Sequence, residues 1–256
     1  MDYEERLICF VDLLGFKSAI DQTIKDSAIR ERMFIVMAEF KDKGLERALY
    51  AGIPVLNEKG FTTAHEIYGD DICSEFGEHV GLVVTQFSDS FVLSVPANQP
   101  GSCSMLLKAV YAIHLQFFFS LGMMMRGGID VGKLIHVENG PLYGPAMNAA
   151  YKLESSSAIY PRVVVSKQAK EHLDNSMVSK GYAHVIKQGF DGQFEFDVID
   201  VMVRGLKLDY SKAEIESQLD VIEQDILDNS LIAHPKIAYL KHQWSLVSDQ
   251  YLPHRS

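Results

Sequence analysis

The chain has 256 residues, 47% of them hydrophobic and 23% charged, which is ordinary usage for a globular protein with a sizeable core. Its formal net charge of -10 excludes broad, sequence-independent binding of DNA or RNA, because neutralising phosphates needs a basic face. No segment reaches the roughly 20 uninterrupted apolar residues of a membrane helix, and three cysteines without a CxxC pair favour a reducing compartment, so we expect a soluble, cytoplasmic protein.

The first half of the chain predicts a strand, a helical region and a hairpin. Residues 6–12 form an apolar run typical of a buried strand, and residues 17–50 carry apolar side chains at helical spacing, which indicates one or two helices. Glycines and prolines across residues 51–79 indicate a loop or an irregular insertion. The β-rich runs GLVVTQF and FVLSV follow, and the Ser-Asp-Ser segment between them predicts a hairpin with Asp89 at its tip.

The second half alternates helices and strands. We expect a helix over residues 104–120, one or two strands in MMMRGGIDVGKLIHV, and a helix opened by the Gly-Pro pair of GPAMNAAYKLES. RVVVS, YAHVIKQ and FEFDVIDV are predicted strands, and KQAKEHLDN is a predicted short helix. No internal repeat or low-complexity linker is present, so residues 1–205 should form one domain, with residues 206–256 as a helical extension packed on it.

Asp12 interrupts the apolar run of the first strand, ICFVDLLGFK. An ionised carboxylate in a low-dielectric strand costs several kcal/mol unless a positive group or a set of donors compensates it. Antiparallel pairing of this strand with the later hairpin would bring Asp12 and Asp89 to one edge of the sheet, where two carboxylates repel each other unless a cation lies between them. Mg²⁺ is commonly held by one or two carboxylates together with substrate phosphates.

The residues after Asp12 offer a place for such phosphates. Leu14, Gly15, Phe16 and Lys17 lead from the strand into a helix, so free backbone N–H groups and the helix dipole point where an anion could lie. The pattern therefore predicts a metal-bound triphosphate at the end of the first strand.

Four segments, in this order, resemble the motifs of the class III nucleotidyl cyclases. FVDLLGFK resembles the first metal motif, QFSDSFVLSV the second metal hairpin, and MRGGIDVGKL the central RxGIxxG strand. GPAMNAAYKLES resembles the helix that carries an asparagine and, four residues on, an arginine. The four segments lie between residue 8 and about residue 156. The resemblance implies an α+β, ferredoxin-like domain with a mainly antiparallel sheet flanked by helices.

Carried over position by position, the resemblance implies a two-metal site. Asp12 and Asp89 would bind two divalent ions, Mg²⁺ or Mn²⁺, together with the backbone carbonyl of Leu13. Arg126 would contact the triphosphate, and the stretch from Leu14 to Lys17 would bind it through backbone groups. Taken alone, Arg126 could equally be an ordinary ion-pair partner.

The fourth motif would act on the transition state and implies a dimer. Asn148 would orient the ribose, and Lys152 stands where the family has an arginine, which keeps the charge but not the bidentate fork. In the family this helix of one protomer completes the metal site of the other, so a head-to-tail homodimer with composite sites is implied. The implied reaction is attack of the ribose 3′-oxygen on the α-phosphate of a nucleoside triphosphate, which releases pyrophosphate and closes a 3′,5′-cyclic ring.

At two positions that read the base in the purine cyclases of the family, this sequence has other residue types. Adenylate cyclases of the family place a lysine four residues before the second metal aspartate and an aspartate seven residues before the asparagine; here these are Thr85 and Pro141. The departure resembles the pyrimidine cyclases of the Pycsar anti-phage defence system, whose cyclic nucleotide activates a separate effector protein. UTP is the favoured substrate. The alternatives are CTP, a purine nucleotide read by a divergent pocket, and a catalytically silent nucleotide-binding module.

Overall fold

The computed structural model describes residues 2–40, 55–57, 60–62, 81–177, 185–199, 212–229 and 233–251. The helical region predicted to reach residue 50 is therefore described as far as residue 40. Most of the predicted insertion over residues 51–79 lies outside the described residues.

A mainly antiparallel sheet with helices packed on it confirms the predicted α+β class. The elements are β1 (Glu4–Leu14), α1 (Phe16–Lys25), α2 (Ser27–Glu39), β2 (Val55–Asn57), β3 (Gly60–Thr62), β4 (Val83–Phe87), β5 (Ser90–Pro96), α3 (Ser102–Leu121), β6 (Met124–His136), β7 (Leu142–Tyr143), α4 (Pro145–Ser157), β8 (Val163–Val165), α5 (Lys167–Met177), β9 (Ile186–Gln188), β10 (Phe194–Phe196), α6 (Lys212–Asn229) and α7 (His234–Tyr251).

The observed elements differ from the predicted ones in two places. Strands β2 and β3 pair with each other in antiparallel fashion inside the region predicted as a loop or irregular insertion. The segment predicted as one or two strands after α3 is the single strand β6, as that prediction allows. Strand β10 ends at Phe196, before the end of the run FEFDVIDV that predicted it. The first three residues of the run YAHVIKQ lie outside the described residues, and β9 covers its end.

Strand β1 lies inside the main sheet and positions the candidate site. This sheet has eight strands in the order β4-β5-β1-β6-β8-β10-β9, with β7 paired to β6, and its pairs are antiparallel except β6 with β8. Asp12, near the end of β1, lies opposite Ser90 of β5 and Arg126 of β6. Because directly opposite residues project to the same face of a sheet, these three side chains share one face.

Different helices cover the two faces of the sheet. Alternate side chains of β1 enter the main core with α3, and the others pack beneath α4. Helix α3 is long and apolar enough to span a membrane, but 78% of its apolar window is buried inside the protein, as expected for a core helix. The core-facing set of β1 is Leu7, Cys9, Val11 and Leu13, and the set beneath α4 includes Ile8 and Phe10.

The two C-terminal helices pack on α3 and on the start of β6. Their apolar faces form a second cluster with Met124, and Leu14 at the end of β1 packs against it. Lys241 of α7 joins the two helices through ion pairs with Asp220 (2.8 Å) and Glu223 (2.6 Å) of α6. Helices α6 and α7 thus lie close to the end of β1, while the division into a domain and an extension at residue 206 stays a prediction. The helices contribute Ile215, Leu219, Ile222, Ile226, Ile237, Leu240, Trp244 and Val247 to the cluster.

Candidate functional site

Asp12 and Asp89 meet where β1 ends beside the hairpin of β4 and β5. The Leu13 amide donates to the Asp89 carbonyl oxygen over 2.9 Å, so the turn that carries Asp89 is tied to the residue after Asp12. Burial raises the pKa of Asp12 above its ordinary value, and the negative charge of Asp89 adds to that rise. The structure therefore brings the three predicted metal-site residues together, and metal binding by them stays a prediction.

Arg126 lies opposite Asp12 and joins it to a second acid. Its Nε is 3.1 Å from Oδ2 of Asp12 and 2.8 Å from Oε1 of Glu154. The hydrogen bond and the charge of Arg126 lower the pKa of Asp12 and so oppose the effect of burial. The two terminal amino groups of the guanidinium make no hydrogen bond with any described residue. Arg126 therefore forms the ion pair that the alternative interpretation predicts. Its terminal amino groups can still donate hydrogen bonds to an anion.

Glu154 is a buried acid of the site that the sequence analysis missed. Its side chain is 3% exposed, and burial raises its pKa while the charge of Arg126 lowers it. Glu154 reaches Arg126 because α4 lies directly on β6: a Cβ atom at Gly128 would be 2.3 Å from the Ala150 carbonyl oxygen. Only a glycine allows this approach. The sequence signal was the paired glycine of MRGGID, which marks a close backbone approach without saying which helix makes it.

Asn148 and Lys152 lie on the other side of α4 from Glu154. Ala146, Ala150 and Glu154, spaced four residues apart, form the buried face of the helix. Asn148 and Lys152 are offset from them by two residues, roughly 200° around the helix axis, and both are exposed. The structure therefore does not bring these two predicted catalytic residues to Asp12 of the same chain.

Lys236 is a second cation near the acids, and the sequence analysis did not single it out. Its charge lowers the pKa values of Asp12 and Glu154, after the larger effects of burial and of Arg126. It comes from the first turn of α7, far from Asp12 in sequence. A lysine in HPKIAYLKHQW carries no motif, so only the packing of α7 could have revealed it.

The turn after β1 leaves the start of α1 open. Gly15 has φ 91°, a left-handed conformation that favours glycine, and it precedes α1 without a side-chain cap on the helix amides. A Cβ atom at Gly15 would meet no atom within 4 Å, so the backbone there faces open space. Phe16 and Lys17 form the first turn, and the Lys17 side chain is exposed. The predicted anion-binding turn thus has the expected backbone form.

Thr85 ends a chain of polar side chains on the face of the sheet that carries Asp12. Thr85 Oγ1 is 2.8 Å from His136 Nε2, His136 Nδ1 is 2.8 Å from Ser94 Oγ, and Arg6 Nε donates to the same Ser94 oxygen over 2.8 Å. Burial, and then the charge of Arg6, lower the pKa of His136 to about 4, so its ring is neutral at pH 7. His136 is a further residue that the sequence analysis missed.

Pro141, the second predicted base-reading position, lies near the same histidine. Its carbonyl oxygen accepts a hydrogen bond from the Val137 amide over 3.0 Å, and the next residue, Leu142, pairs with His136 across β6 and β7. The two positions that depart from the purine cyclases, Thr85 and Pro141, are therefore both adjacent to His136.

The donors at the end of β1 suit a divalent cation that arrives with a phosphate ligand. Within the described ranges, no three His, Cys, Asp or Glu side chains are grouped closely enough to hold a metal ion by themselves. Mg²⁺ needs no such cage, since it is usually bound through one or two carboxylates plus water and substrate phosphates. Asp12 and Asp89 supply that number of carboxylates, so the residues present fit the predicted Mg²⁺ or Mn²⁺.

No protein-family model matches this chain, and no curated protein matches it. Among solved structures, the fold is similar to that of the adenylyl cyclase CyaB from P. aeruginosa, with 12% identity, 75% of this chain and 92% of that chain covered, and a TM-score of 0.43. It is also similar to the monomeric guanylyl cyclase domain of the RhoGC fusion protein from the aquatic fungus Blastocladiella emersonii, with 13% identity, 76% and 95% coverage, and a TM-score of 0.39.

A third similar structure is the adenylate/guanylate cyclase/hydrolase from Silicibacter pomeroyi, with 12% identity, 76% of this chain and 95% of that chain covered, and a TM-score of 0.42. With identities of 13% or less and TM-scores of 0.43 or less, these likenesses decide nothing about the activity of this chain.

Proposed function

We propose that this chain is a metal-dependent nucleotide cyclase, which converts a nucleoside triphosphate into a 3′,5′-cyclic monophosphate and pyrophosphate. The observation that carries the proposal is the meeting of Asp12 and Asp89 beside the uncapped start of α1. Carboxylates for a divalent cation and donors for phosphate oxygens thus lie together, as nucleotidyl transfer requires. The four class III sequence motifs point to the same reaction.

In the proposed reaction, the ribose 3′-oxygen attacks the α-phosphorus, the bond from that phosphorus to the pyrophosphate oxygen breaks, and the hydroxyl proton is released. Divalent cations, when bound by Asp12 and Asp89, would lower the pKa of the attacking hydroxyl and neutralise phosphate charge. The first amides of α1 and the terminal amino groups of Arg126 would hold the triphosphate. Fixing its position in this way lowers the entropic cost of ring closure.

The proposed active enzyme is a head-to-tail homodimer. Asn148 and Lys152 are exposed on the face of α4 that points away from Glu154. In that position they would act on the site of a second copy. Lys152 would stabilise the charge that develops on the α-phosphate, and Asn148 would orient the ribose of the nucleotide bound by the partner.

UTP is the proposed substrate and cyclic UMP the proposed product. A lysine or carboxylate that would read a purine edge is absent from positions 85 and 141, and the Thr85 hydroxyl, hydrogen-bonded to the neutral ring of His136, lies there instead. A hydroxyl both donates and accepts, so CTP remains the second candidate and a purine nucleotide the third. The proposed role is second-messenger synthesis for a separate effector in anti-phage defence, which rests on the sequence resemblance alone.

A silent nucleotide-binding module is the candidate from another class of function. One observation favours it: Arg126 already contacts the Asp12 carboxylate that a metal ion would need. Under this alternative the ion pair would be the permanent state of the site, and the chain would bind nucleotides without turning them over.

Incubation with each of the four ribonucleoside triphosphates, with Mg²⁺ or Mn²⁺, tests these assignments when the products are identified by mass spectrometry. We expect cyclic UMP. Formation of cyclic CMP would show that the substrate is CTP instead of UTP. Formation of cyclic AMP or cyclic GMP would contradict the pyrimidine assignment. Nucleotide binding without any product would favour the silent module.

Mixing inactive chains tests the composite site. Asp12→Ala and Lys152→Ala chains, unfolded together and refolded, should recover about one quarter of the wild-type activity, because half of the dimers would then contain one intact site. Asp12→Ala mixed with Asp89→Ala is the matched control and should recover nothing, since both changes damage the same half of a site. Equal recovery in the two mixtures, or none in either, would refute the shared site.

A further inference from the structure

The start of α7 is held beside the end of β1 by contacts on several sides. Ile237, in the first turn of the helix, is fully buried in the cluster that Leu14 and Met124 also contact. Leu14 follows Asp12 by two residues, and Met124 precedes Arg126 by two. The helix start is therefore fixed next to the two residues at the centre of the proposed site.

Polar contacts further along α7 keep it in this position. The Tyr239 hydroxyl lies 3.3 Å from Oε2 of the buried Glu195 of β10, and Lys187 of β9 donates to Gln243 over 2.9 Å. These contacts tie the helix to the far edge of the same sheet. These contacts and the burial of Ile237 thus place the first turn of α7 near the end of β1.

Lys236 occupies a place in this helix where a cation is unfavourable. It lies in the first turn of α7, where the helix dipole is positive and acidic residues are preferred, and the turn contains no acidic residue. The side chain is half-buried, and burial, followed by the charge of Arg126, lowers its pKa. A residue that breaks a local rule without a compensating structural contact marks a candidate for function.

The acids near Lys236 do not supply that compensating contact. Within the described residues, its ammonium makes no hydrogen bond and no ion pair with Asp12 or Glu154, although both raise its pKa through their charge. Arg126 already contacts both carboxylates directly. The ammonium therefore has donors to offer to an additional acceptor at the end of β1.

We propose that Lys236 binds phosphate oxygens of the triphosphate, which makes the C-terminal helix α7 a part of the nucleotide site. This inference rests on the proposed function. Lys236 and Arg126 would receive the phosphates from two sides, one from α7 and one from β6. The desolvated position strengthens such a charge-assisted hydrogen bond relative to an exposed lysine.

Inorganic tripolyphosphate with Mg²⁺ is the probe that isolates this contact, because it lacks base and ribose and is not cyclised. Titration calorimetry should show that Lys236→Gln weakens its binding by about tenfold to a hundredfold, as the loss of a hydrogen bond to a charged group does. Lys236→Arg should bind within about threefold of wild type. The KM for UTP should rise in Lys236→Gln by a similar factor, with kcat changed less.

Lys241→Gln is the matched control, because Lys241 lies on the same helix but pairs with α6 away from the site. We expect it to bind tripolyphosphate as wild type does, and thermal unfolding of Lys236→Gln should match that of the wild type. Equal weakening in both variants would show that α7 acts only through its packing. Unchanged binding in Lys236→Gln would overturn the role of Lys236 but would leave the proposed function standing. A wild-type protein that binds neither tripolyphosphate nor any nucleotide would overturn the proposed function as well.

Discussion

Two arginine clusters lie in the same sheet region and differ in how completely their hydrogen bonds are used. Arg162 is 4% exposed, its Nη1 lies 3.1 Å from Oε2 of Glu195, and its Nη2 contacts Asp191 and donates to the Ser157 carbonyl over 3.0 Å. Arg126 is 26% exposed and reaches its two acids through Nε alone. The first cluster has acceptors for both terminal amino groups, whereas neither terminal amino group of Arg126 has an acceptor among the described residues.

The difference separates a structural ion network from a site with capacity for a ligand. A buried cation whose two terminal amino groups both have acceptors holds elements together, and here it joins β8 to β10 and to the turn before it. A partly exposed cation with unused donors, placed among carboxylates that burial makes harder to ionise, is arranged for a charged ligand. Arg126 therefore fits phosphate binding better than a purely structural role.

The largest expected difference between the two clusters is in kcat, when one aspartate of each is replaced by the similarly shaped asparagine. Asp12→Asn removes a carboxylate of the proposed metal site and should lower kcat by roughly a thousandfold or more. Asp191→Asn removes a carboxylate of the structural network and should leave kcat within about twofold. Cyclic nucleotide formation, measured by mass spectrometry at saturating triphosphate and Mn²⁺, gives both values.

Dimer content, measured by sedimentation, serves as the control for this pair and should be the same in both variants. Retained turnover in Asp12→Asn would refute the metal assignment. A loss of the same size in Asp191→Asn would remove the distinction between the two clusters.

The sequence predicted the parts of the site that lie within one motif or on paired strands. The proximity of Asp12 and Asp89 was predictable because antiparallel pairing of the first strand with the hairpin places the end of that strand beside the hairpin tip. Glu154 and Lys236 were not predictable, because each depends on how a helix packs against the sheet. His136 was missed for a related reason: its partner Thr85 is reached across two intervening strands.

The fold shows the same boundary between local and tertiary information. Apolar periodicity and turn residues predicted most elements, whereas the approach of α4 to Gly128 depends on contacts between segments distant in sequence. The face of α4 that carries Asn148 could be assigned only once the buried face was known. Sequence patterns thus predict which residue types a site contains, and packing decides which of them share one site.

A smaller, opposite pair of effects should appear when the two arginines themselves are replaced. Arg162→Gln removes the nearer ion-pair partner of the buried Glu195, leaves it only Lys187 at 3.7 Å, and should lower the free energy of unfolding by roughly 3 kcal/mol. Arg126→Gln, in a more exposed position, should cost less than half of that but should weaken triphosphate binding by about tenfold or more. Urea denaturation and nucleotide titration measure the two quantities.

Acidification provides an internal check on the Arg162 cluster. The hydrogen bond from Arg162 lowers the pKa of Asp191, so this pair stabilises the fold above the ordinary pKa of an aspartate, and its contribution is lost as the pH falls through the lowered value. Arg162→Gln should therefore lose less stability than wild type between about pH 5 and pH 2. If both arginine variants reduced stability and binding in the same proportion, the difference in how their terminal amino groups are paired would not explain their roles.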